Sequence, residues 1–333
     1  MYYCGYTTGL EEDKSRTNWD GSASRPLAWS AWYPTYVPPS VPRISEEGSP
    51  FFTTGEISFD TPIVRDKKFP LVLLSHGTGG SPESLGWLAR YFAERGVIVI
   101  GAHHHGNTGR EPYRAEGFLC WWERAKDLSV LLSVFQKKDE FAEHLNKEKV
   151  TAIGFSLGGY TALALSGART DVQLFEAWVD ANFPEMRGPR EFPDAAGEIT
   201  RLMMTSEPFR KSWERQNVDY SDKRIEKAVA IAPAPPVRAF TSQSVRDIDT
   251  PITLITGGAD IEAPTSLCAD WLVQQNPNFA AHDVGKDVGH YTFLDFPFNK
   301  ALWGKEDLFM DNLSVDRKAV HEMTAKLAYM AVS

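Results

Sequence analysis

The segment Val150-Thr-Ala-Ile-Gly154-Phe-Ser156-Leu-Gly158-Gly159 joins an apolar, β-branched run to a Gly-x-Ser-x-Gly motif, and a helical pattern follows over 160–165. In a nucleophile elbow the serine occupies a strained turn between a strand and a helix, and the flanking glycines let the backbones pass without a Cβ. The bare motif is common by chance, but here it has the strand and helix that it requires. We therefore predict Ser156 as a nucleophile and the backbone NH of Leu157, at a helix N-terminus, as one oxyanion donor.

Apolar runs of the same kind lie on both sides of this segment. Their continuous hydrophobicity is typical of parallel strands, which are buried on both faces. Helical patterns at 85–94 and 118–135 separate them, and alternating strands and helices indicate an α/β fold with a mostly parallel central sheet flanked by helices. The predicted strands are 69–75, 96–102, 150–155, 227–232, 251–256 and 279–284.

The first sixty residues have a different pattern. Segments 27–33 and 55–59 alternate in polarity, and the proline-rich stretch 34–50 separates them. Proline is tolerated at sheet edges, so we predict antiparallel strands at one edge of the sheet.

Residues 168–226 combine many charges with aromatic residues and lack a strand pattern. A linker would lack those aromatics, so we predict a cap inserted into the sheet topology. The whole chain, 1–333, is then a single domain with one insertion, which its 333 residues allow.

The loop after strand 69–75 reads His76-Gly77-Thr78-Gly79-Gly80. Glycines here allow the close backbone approach that a tetrahedral oxyanion needs, and we assign the second oxyanion donor to the NH of Thr78. We expect His76 and Gly77 to border the substrate pocket. An ordinary tight turn, with His76 only bracing the loop, is the alternative.

A serine nucleophile needs a base, and eight histidines compete for that role. Only His290 follows the last predicted strand in a glycine-bearing loop, and it fits the chain order serine, acid, histidine that goes with this elbow. We expect the next residue, Tyr291, to line the pocket. His282 is the other histidine in this region, and we interpret it as a structural residue of the last strand.

The orienting acid should leave the carboxyl end of a neighbouring strand, at the same edge as the serine. Asp260 does so, in the turn after strand 251–256. Its expected role is to hold the imidazole tautomer and stabilise the imidazolium. Alternatively, Asp260 only caps a following helix, and Asp283 or Asp287 takes the role.

The run His103-His104-His105 suggests a metal site at first. Consecutive strand residues point to opposite faces, so at most His103 and His105 could share an ion, and no carboxylate or cysteine nearby completes a tetrahedral set. We predict no metal and no cofactor. The run is better explained as a buried polar loop that supports the pocket, with His105 beside it.

Composition limits the partners and the compartment. A net charge of -9 argues against nucleic-acid binding, which depends on basic residues that neutralise phosphates. No apolar run is long enough to span a bilayer, and three widely spaced cysteines neither form a disulfide framework nor match a zinc pattern. We expect a cytoplasmic protein that acts on a small molecule without a membrane partner, and we leave homo-oligomer formation open.

Short motifs spread over most of the chain form one recognisable set: Trp32-Tyr33-Pro34, Ser75-His76-Gly77, His105-Gly106-Asn107-Thr108, Arg124 with Asp127, Gly154 to Tyr160, 225–233, Gly258 with Asp260, and Gly289-His290. Together they resemble the α/β-hydrolase family, specifically the predicted dienelactone hydrolases and the platelet-activating-factor acetylhydrolase-like esterases. The resemblance implies an α/β-hydrolase fold, Ser156, Asp260 and His290 as a catalytic triad, oxyanion donors at Thr78 and Leu157, and short-chain or modified carboxylic esters as substrates.

Two departures from the family pattern matter. True dienelactone hydrolases have a cysteine nucleophile where this chain has Ser156, so a lactone substrate is not implied. The family loop more often reads His-Pro-Gly-Asn-Thr, whereas His104 and His105 precede Gly106 here.

The leading hypothesis is therefore a serine esterase that acts on a small-molecule ester. Two rival hypotheses are a serine peptidase or amidase, which uses the same triad, and a noncatalytic receptor for a small ligand. Against the peptidase, the sequence contains neither a propeller-like partner domain nor an obvious acidic pair for a peptide amine. Against the receptor, serine, acid and histidine are all present in the expected order.

Overall fold

The computed structural model describes residues 1–39 and 51–332, and within them the central feature is a nine-stranded sheet of order β3-β1-β2-β5-β4-β6-β7-β8-β9. Strands β4 to β9 are parallel, whereas β2 pairs with β5 in antiparallel fashion. The predicted α/β class with a mostly parallel sheet is confirmed. The strands are β1 Tyr3–Thr17, β2 Ser24–Thr35, β3 Ser58–Phe59, β4 Phe69–Ser75, β5 Ile98–His103, β6 Leu145–Phe155, β7 Lys227–Ile231, β8 Ile252–Thr256 and β9 Ala280–Asp283.

Helices cover both faces of this sheet. The predicted helix 118–135 is two helices, because the chain turns between Leu119 and Glu123. The helices are α1 Gly86–Ala93, α2 Ala115–Leu119, α3 Glu123–Phe135, α4 Asp139–Ala142, α5 Leu157–Leu165, α6 Val172–Asn182, α7 Ile199–Thr205, α8 Glu207–Trp213, α9 Ser242–Arg246, α10 Ala269–Gln275 and α11 Arg317–Val332.

Alternate side chains of one strand enter two different cores. In β4, Leu71 and Leu73 pack on one face of the sheet, while Val72 and Leu74 pack on the other. Each such apolar side chain contributes about 1.5–3 kcal/mol when fully buried. Burial on both faces is why the parallel strands could be recognised from continuous hydrophobicity.

The N-terminal prediction was incomplete. The long strand β1 was missed, and segment 55–59 contributes only the two residues of β3, which pair parallel to β1 rather than antiparallel. Strand β1 is polar and largely exposed, so it carries little hydrophobic signal. Of the proline-rich stretch 34–50, residues 40–50 lie outside the described part of the chain.

Strand β1 is held by aromatic rings of β2. Gly5 lies opposite Tyr33 and Gly9 opposite Trp29 in the antiparallel register, and a Cβ at either glycine would collide with the facing ring. These cross-strand pairs bury both rings and fix the register of the two strands.

Segment 168–226 lies between α5 and β7 and contains α6, α7 and α8 without a strand. It packs on the α2–α3 region through Phe175 against Trp121, Phe192 against Phe118, and a hydrogen bond of 3.1 Å from the Trp122 indole NH to the Ser212 carbonyl. Some of the aromatic side chains of this segment therefore pack it against the α2–α3 region. A cap function for this segment stays a prediction.

Two further observations concern residues 1–39 and 51–332. None of their helices combines the length and the apolar character that a bilayer crossing demands. Cys4, Cys120 and Cys268 are buried free thiols. The cytoplasmic location stays a prediction.

Candidate active site

Ser156 lies at the turn from β6 to α5 with a φ of 55°, in the left-handed region that residues other than glycine rarely adopt. The glycines around it are required by close backbone contacts. A Cβ at Gly154 would collide with the backbone of Gly158, and a Cβ at Gly158 would collide with the Ser75 carbonyl at the end of β4. The motif therefore holds the serine at the carboxyl edge of the sheet.

Three of the predicted residues meet at this edge. His290 Nε2 lies 2.9 Å from Ser156 Oγ, and His290 Nδ1 lies 2.7 Å from Asp260 Oδ2. Because a carboxylate oxygen can only accept, Nδ1 carries the proton and Nε2 is free to accept from the serine hydroxyl. The arrangement can deprotonate Ser156 through His290 and stabilise the resulting imidazolium.

Asp260 was predicted either to orient the histidine or to cap the following turn, and each prediction applies to one of its two carboxylate oxygens. While Oδ2 binds His290, Oδ1 accepts a hydrogen bond of 2.7 Å from the backbone NH of Ala263 and so also closes the following turn. The two competing acids are engaged elsewhere: Asp283 Oδ1 accepts from the Gly285 NH, and Asp287 Oδ2 accepts from Ser314 Oγ.

The predicted oxyanion donors flank the serine. Leu157 is the first residue of α5, so its NH has no acceptor in the helix. Gly77 packs directly on the serine, since a Cβ built on it would lie 3.3 Å from Ser156 Cβ, and Thr78 is the next residue. Within the described ranges, no backbone–backbone or side-chain hydrogen bond uses the NH of Thr78. Both NH groups are therefore available to a negatively charged oxygen.

Two predicted pocket residues need correction. His76 is fully buried, with Nδ1 2.7 Å from the Gly77 carbonyl and Nε2 accepting from the His104 NH over 3.3 Å. Burial holds the pKa of His76 well below its usual value, so the ring is neutral and braces the loop from within. His105 contacts Trp19 and Glu111 rather than the serine or His290.

The histidine run points in three directions. His103 lies 3.1 Å from Ser30 Oγ, His104 Nδ1 lies 3.0 Å from Asp127 Oδ2, and His105 Nδ1 lies 2.7 Å from Glu111 Oε1. The three rings do not converge, and the described residues contain no group of three or more His, Cys, Asp or Glu residues that could hold a metal ion.

A cleft of about 340 Å³ opens beside His290 and Tyr291. Its wall includes Arg190, from the segment 168–226, with its guanidinium 5.7 Å from the Tyr291 ring. Burial and the nearby Glu262 carboxylate raise the pKa of Tyr291 to about 12, so its hydroxyl stays protonated. Arg190 and Glu262 were not predicted, since nothing in their local sequence separates them from other surface charges.

Two comparisons with known proteins bear on the family and the fold. A sequence model described as the alpha/beta hydrolase family matches residues 71–299. Among solved structures, the chain is similar to a ferulic acid esterase from Streptomyces cinnamoneus, with a TM-score of 0.64 and 18% sequence identity. That match covers 99% of this chain and 88% of the esterase, and it shows a common fold.

Proposed function

Because the chain belongs to the alpha/beta hydrolase family, we propose that it hydrolyses carboxylic esters through an acyl-enzyme on Ser156. The observation that carries the proposal is the hydrogen-bonded chain from Ser156 through His290 to Asp260, with links of 2.9 and 2.7 Å. Those distances are within the range required of a nucleophile, its base and the group that orients the base.

In the first half of the reaction, Ser156 Oγ attacks the acyl carbon while its proton passes to His290 Nε2. The carbonyl oxygen becomes an oxyanion, which the NH groups of Leu157 and Thr78 stabilise. Each donor of this kind contributes about 2.7–4 kcal/mol to transition-state stabilisation. The intermediate then collapses, and the leaving alkoxide takes the proton from His290.

In the second half, water attacks the acyl-enzyme and gives its proton to His290, and the second intermediate releases the carboxylic acid and restores the Ser156 hydroxyl. The Asp260 carboxylate stabilises the imidazolium in both halves. The balance is one ester and one water consumed, with one acid and one alcohol formed.

For the substrate, we propose short-chain or modified acyl esters. The resemblance to predicted dienelactone hydrolases and platelet-activating-factor acetylhydrolase-like esterases supports this class, and a structural neighbour named as a ferulic acid esterase supports ester cleavage. Because this chain has a serine where true dienelactone hydrolases have a cysteine nucleophile, we do not extend the lactone substrate of those enzymes to it. The cleft beside His290, with Arg190 and Tyr291 on its wall, offers polar groups for the orientation of the ester.

The decisive test is a panel of p-nitrophenyl esters of increasing acyl length, run on wild type and on Ser156→Ala. We expect kcat to fall at least about 10⁴-fold in Ser156→Ala, because the nucleophile is lost. Ser166→Ala is the matched control, because Ser166 caps the C-terminus of the same helix and its hydroxyl donates to the Ala162 carbonyl. The activity of this variant should equal that of wild type. Near-normal turnover by Ser156→Ala would contradict the proposal.

Two further measurements separate the rival functions. Matched p-nitroanilides would be cleaved at rates comparable to the esters by a peptidase or amidase, whereas we expect anilide turnover to be far slower. A fluorophosphonate should label Ser156 covalently. A folded wild-type protein that resists labelling and cleaves no ester would favour a noncatalytic receptor.

A further inference from the structure

Arg124, on α3, is a buried cation. Only 1% of its surface is exposed, and within the described residues no carboxylate lies within 4 Å of its guanidinium. Its four acceptors are neutral oxygens: Thr161 Oγ1, Asn107 Oδ1, Ser75 Oγ and the His76 carbonyl. Burying an unpaired charge costs several kcal/mol, so this placement needs an explanation beyond packing.

The Asp127 carboxylate acts electrostatically on Arg124, and a hydrogen-bonded chain with two intermediates connects the two side chains. Asp127 Oδ2 lies 3.0 Å from His104 Nδ1, His104 Nε2 lies 2.9 Å from Ser75 Oγ, and Ser75 Oγ lies 3.3 Å from Arg124 Nη2. Ser75, His104 and Asp127 repeat the bonding order of the candidate active site. All three are at most 1% exposed, so no substrate can reach them and their role is structural.

Asn107 supports the same loop from the other side. Its Oδ1 accepts a hydrogen bond of 2.6 Å from the Gly79 NH, and its Nδ2 donates one of 3.1 Å to the Gly117 carbonyl. An NH must face the oxygen and a carbonyl must face the amide nitrogen, so only one orientation of the side chain satisfies both partners. Asn107 is 1% exposed and cannot exchange these bonds for water.

Further bonds complete the support on either side of Thr78. The Gly109 NH donates to the Gly80 carbonyl over 2.9 Å, and the Tyr113 hydroxyl donates to the Gly79 carbonyl over 2.7 Å. Residues 107–124 therefore hold the backbone of the loop 76–80 at residues 76, 79 and 80, while the NH of Thr78 between them stays free.

We propose that Asn107 and Arg124 are positioning residues that hold the loop 76–80 in the conformation in which the Thr78 NH meets the oxyanion. The inference rests on the proposed esterase function. An oxyanion donor acts only if it is already aimed at the place where charge develops, and a misplacement of about 1 Å can cost about 10²-fold in rate. Neither residue reaches the reacting atoms itself.

The test compares Asn107→Ala, Asn107→Asp and Arg124→Lys with wild type on a p-nitrophenyl ester. Asn276→Ala is the matched control, since Asn276 is also buried and its amide donates to the carbonyls of Val245 and Ile248, away from the site. For each variant, kcat, KM, the melting temperature and the inhibition constant of a trifluoromethyl ketone are measured. The ketone forms a charged adduct with the serine and so reports on the oxyanion site.

For Asn107→Ala we expect kcat to fall 10–100-fold, with KM within threefold of wild type. The inhibition constant of the ketone should rise by the same factor as kcat/KM falls. Asn107→Asp keeps the acceptor for the Gly79 NH and should recover part of the loss. Arg124→Lys should lower kcat with the same pattern. Asn276→Ala should lose stability but keep kcat within twofold.

A folded Asn107→Ala protein with kcat within twofold of wild type would overturn the inference, as would an Asn276→Ala protein with an equal loss of kcat. If Arg124→Lys does not fold, the Asn107 pair still decides the question. Different results would contradict the two proposals. A wild-type protein that neither cleaves esters nor reacts with a fluorophosphonate would contradict the esterase proposal. An active wild-type protein together with an unchanged kcat in Asn107→Ala would contradict only the positioning role of Asn107 and Arg124.

Discussion

Asp260→Asn tests the site most sharply, because the two oxygens of the carboxylate have different partners. Oδ2 accepts from His290 Nδ1 over 2.7 Å, and Oδ1 accepts from the Ala263 NH, also over 2.7 Å. Asparagine has one oxygen for these two donors. If its NH₂ faces His290, the imidazole must carry its proton on Nε2 and can no longer accept from Ser156.

The other orientation is also unfavourable. If the amide oxygen faces His290, the NH₂ group meets the Ala263 NH, and an unsatisfied buried donor costs about 1–3 kcal/mol. Either way, the negative charge that stabilises the imidazolium is gone. We expect kcat to fall about 10⁴-fold, the loss typical of this substitution in a Ser-His-Asp triad, which corresponds to about 5 kcal/mol.

The assay is kcat and KM for a short-chain p-nitrophenyl ester, together with the rate of fluorophosphonate labelling. Asp283→Asn is the control: Asp283 is exposed, and an asparagine there keeps an acceptor for the Gly285 NH, so we expect activity within twofold of wild type. The assignment of Asp260 is refuted if Asp260→Asn stays within tenfold of wild type, or if Asp283→Asn loses as much.

The remaining predictions concern stability. Asp127→Asn should lower the free energy of unfolding in urea by about 3–5 kcal/mol, because Asp127 is fully buried and pairs with two arginines. Asp219→Asn is the control, because Asp219 belongs to an exposed ion pair, and it should lower the same free energy by less than about 1 kcal/mol. Equal losses in the two variants would contradict this prediction. Burial lowers the pKa of His104 and of His321 to about 3, so between pH 6.5 and 3 the unfolded state binds protons that the folded state does not. Stability is therefore complete above pH 6.5 and lost as the pH falls, by about 2 kcal/mol per histidine at pH 5. Denaturant titrations at pH 7 and pH 5 measure this loss. The difference in free energy of unfolding between the two pH values should be smaller in His321→Gln than in wild type. A free energy of unfolding that does not change with pH would contradict the prediction.

Much of the central sheet could be predicted from the sequence, because parallel strands are buried on both faces and appear as continuous apolar runs. Strand β1 could not be predicted in this way. Its side chains are polar, and its place in the sheet depends on Trp29 and Tyr33, which cover Gly9 and Gly5 only after β2 has paired with it.

The three residues of the candidate triad, like the parallel strands, could be predicted from the sequence. Ser156, Asp260 and His290 each follow a recognisable strand, and the parallel topology brings the carboxyl ends of those strands to one edge, so local patterns were enough to nominate them.

The support of the site was decided by tertiary structure. His76 has the sequence context of a pocket residue but turns into the interior, where His104 and the Gly77 carbonyl satisfy its ring. Asn107 and Arg124 reach the loop 76–80 from 28 and 48 residues away along the chain. No local periodicity encodes such contacts, since a hydrogen bond between distant segments depends on where the whole chain has placed its donor and acceptor.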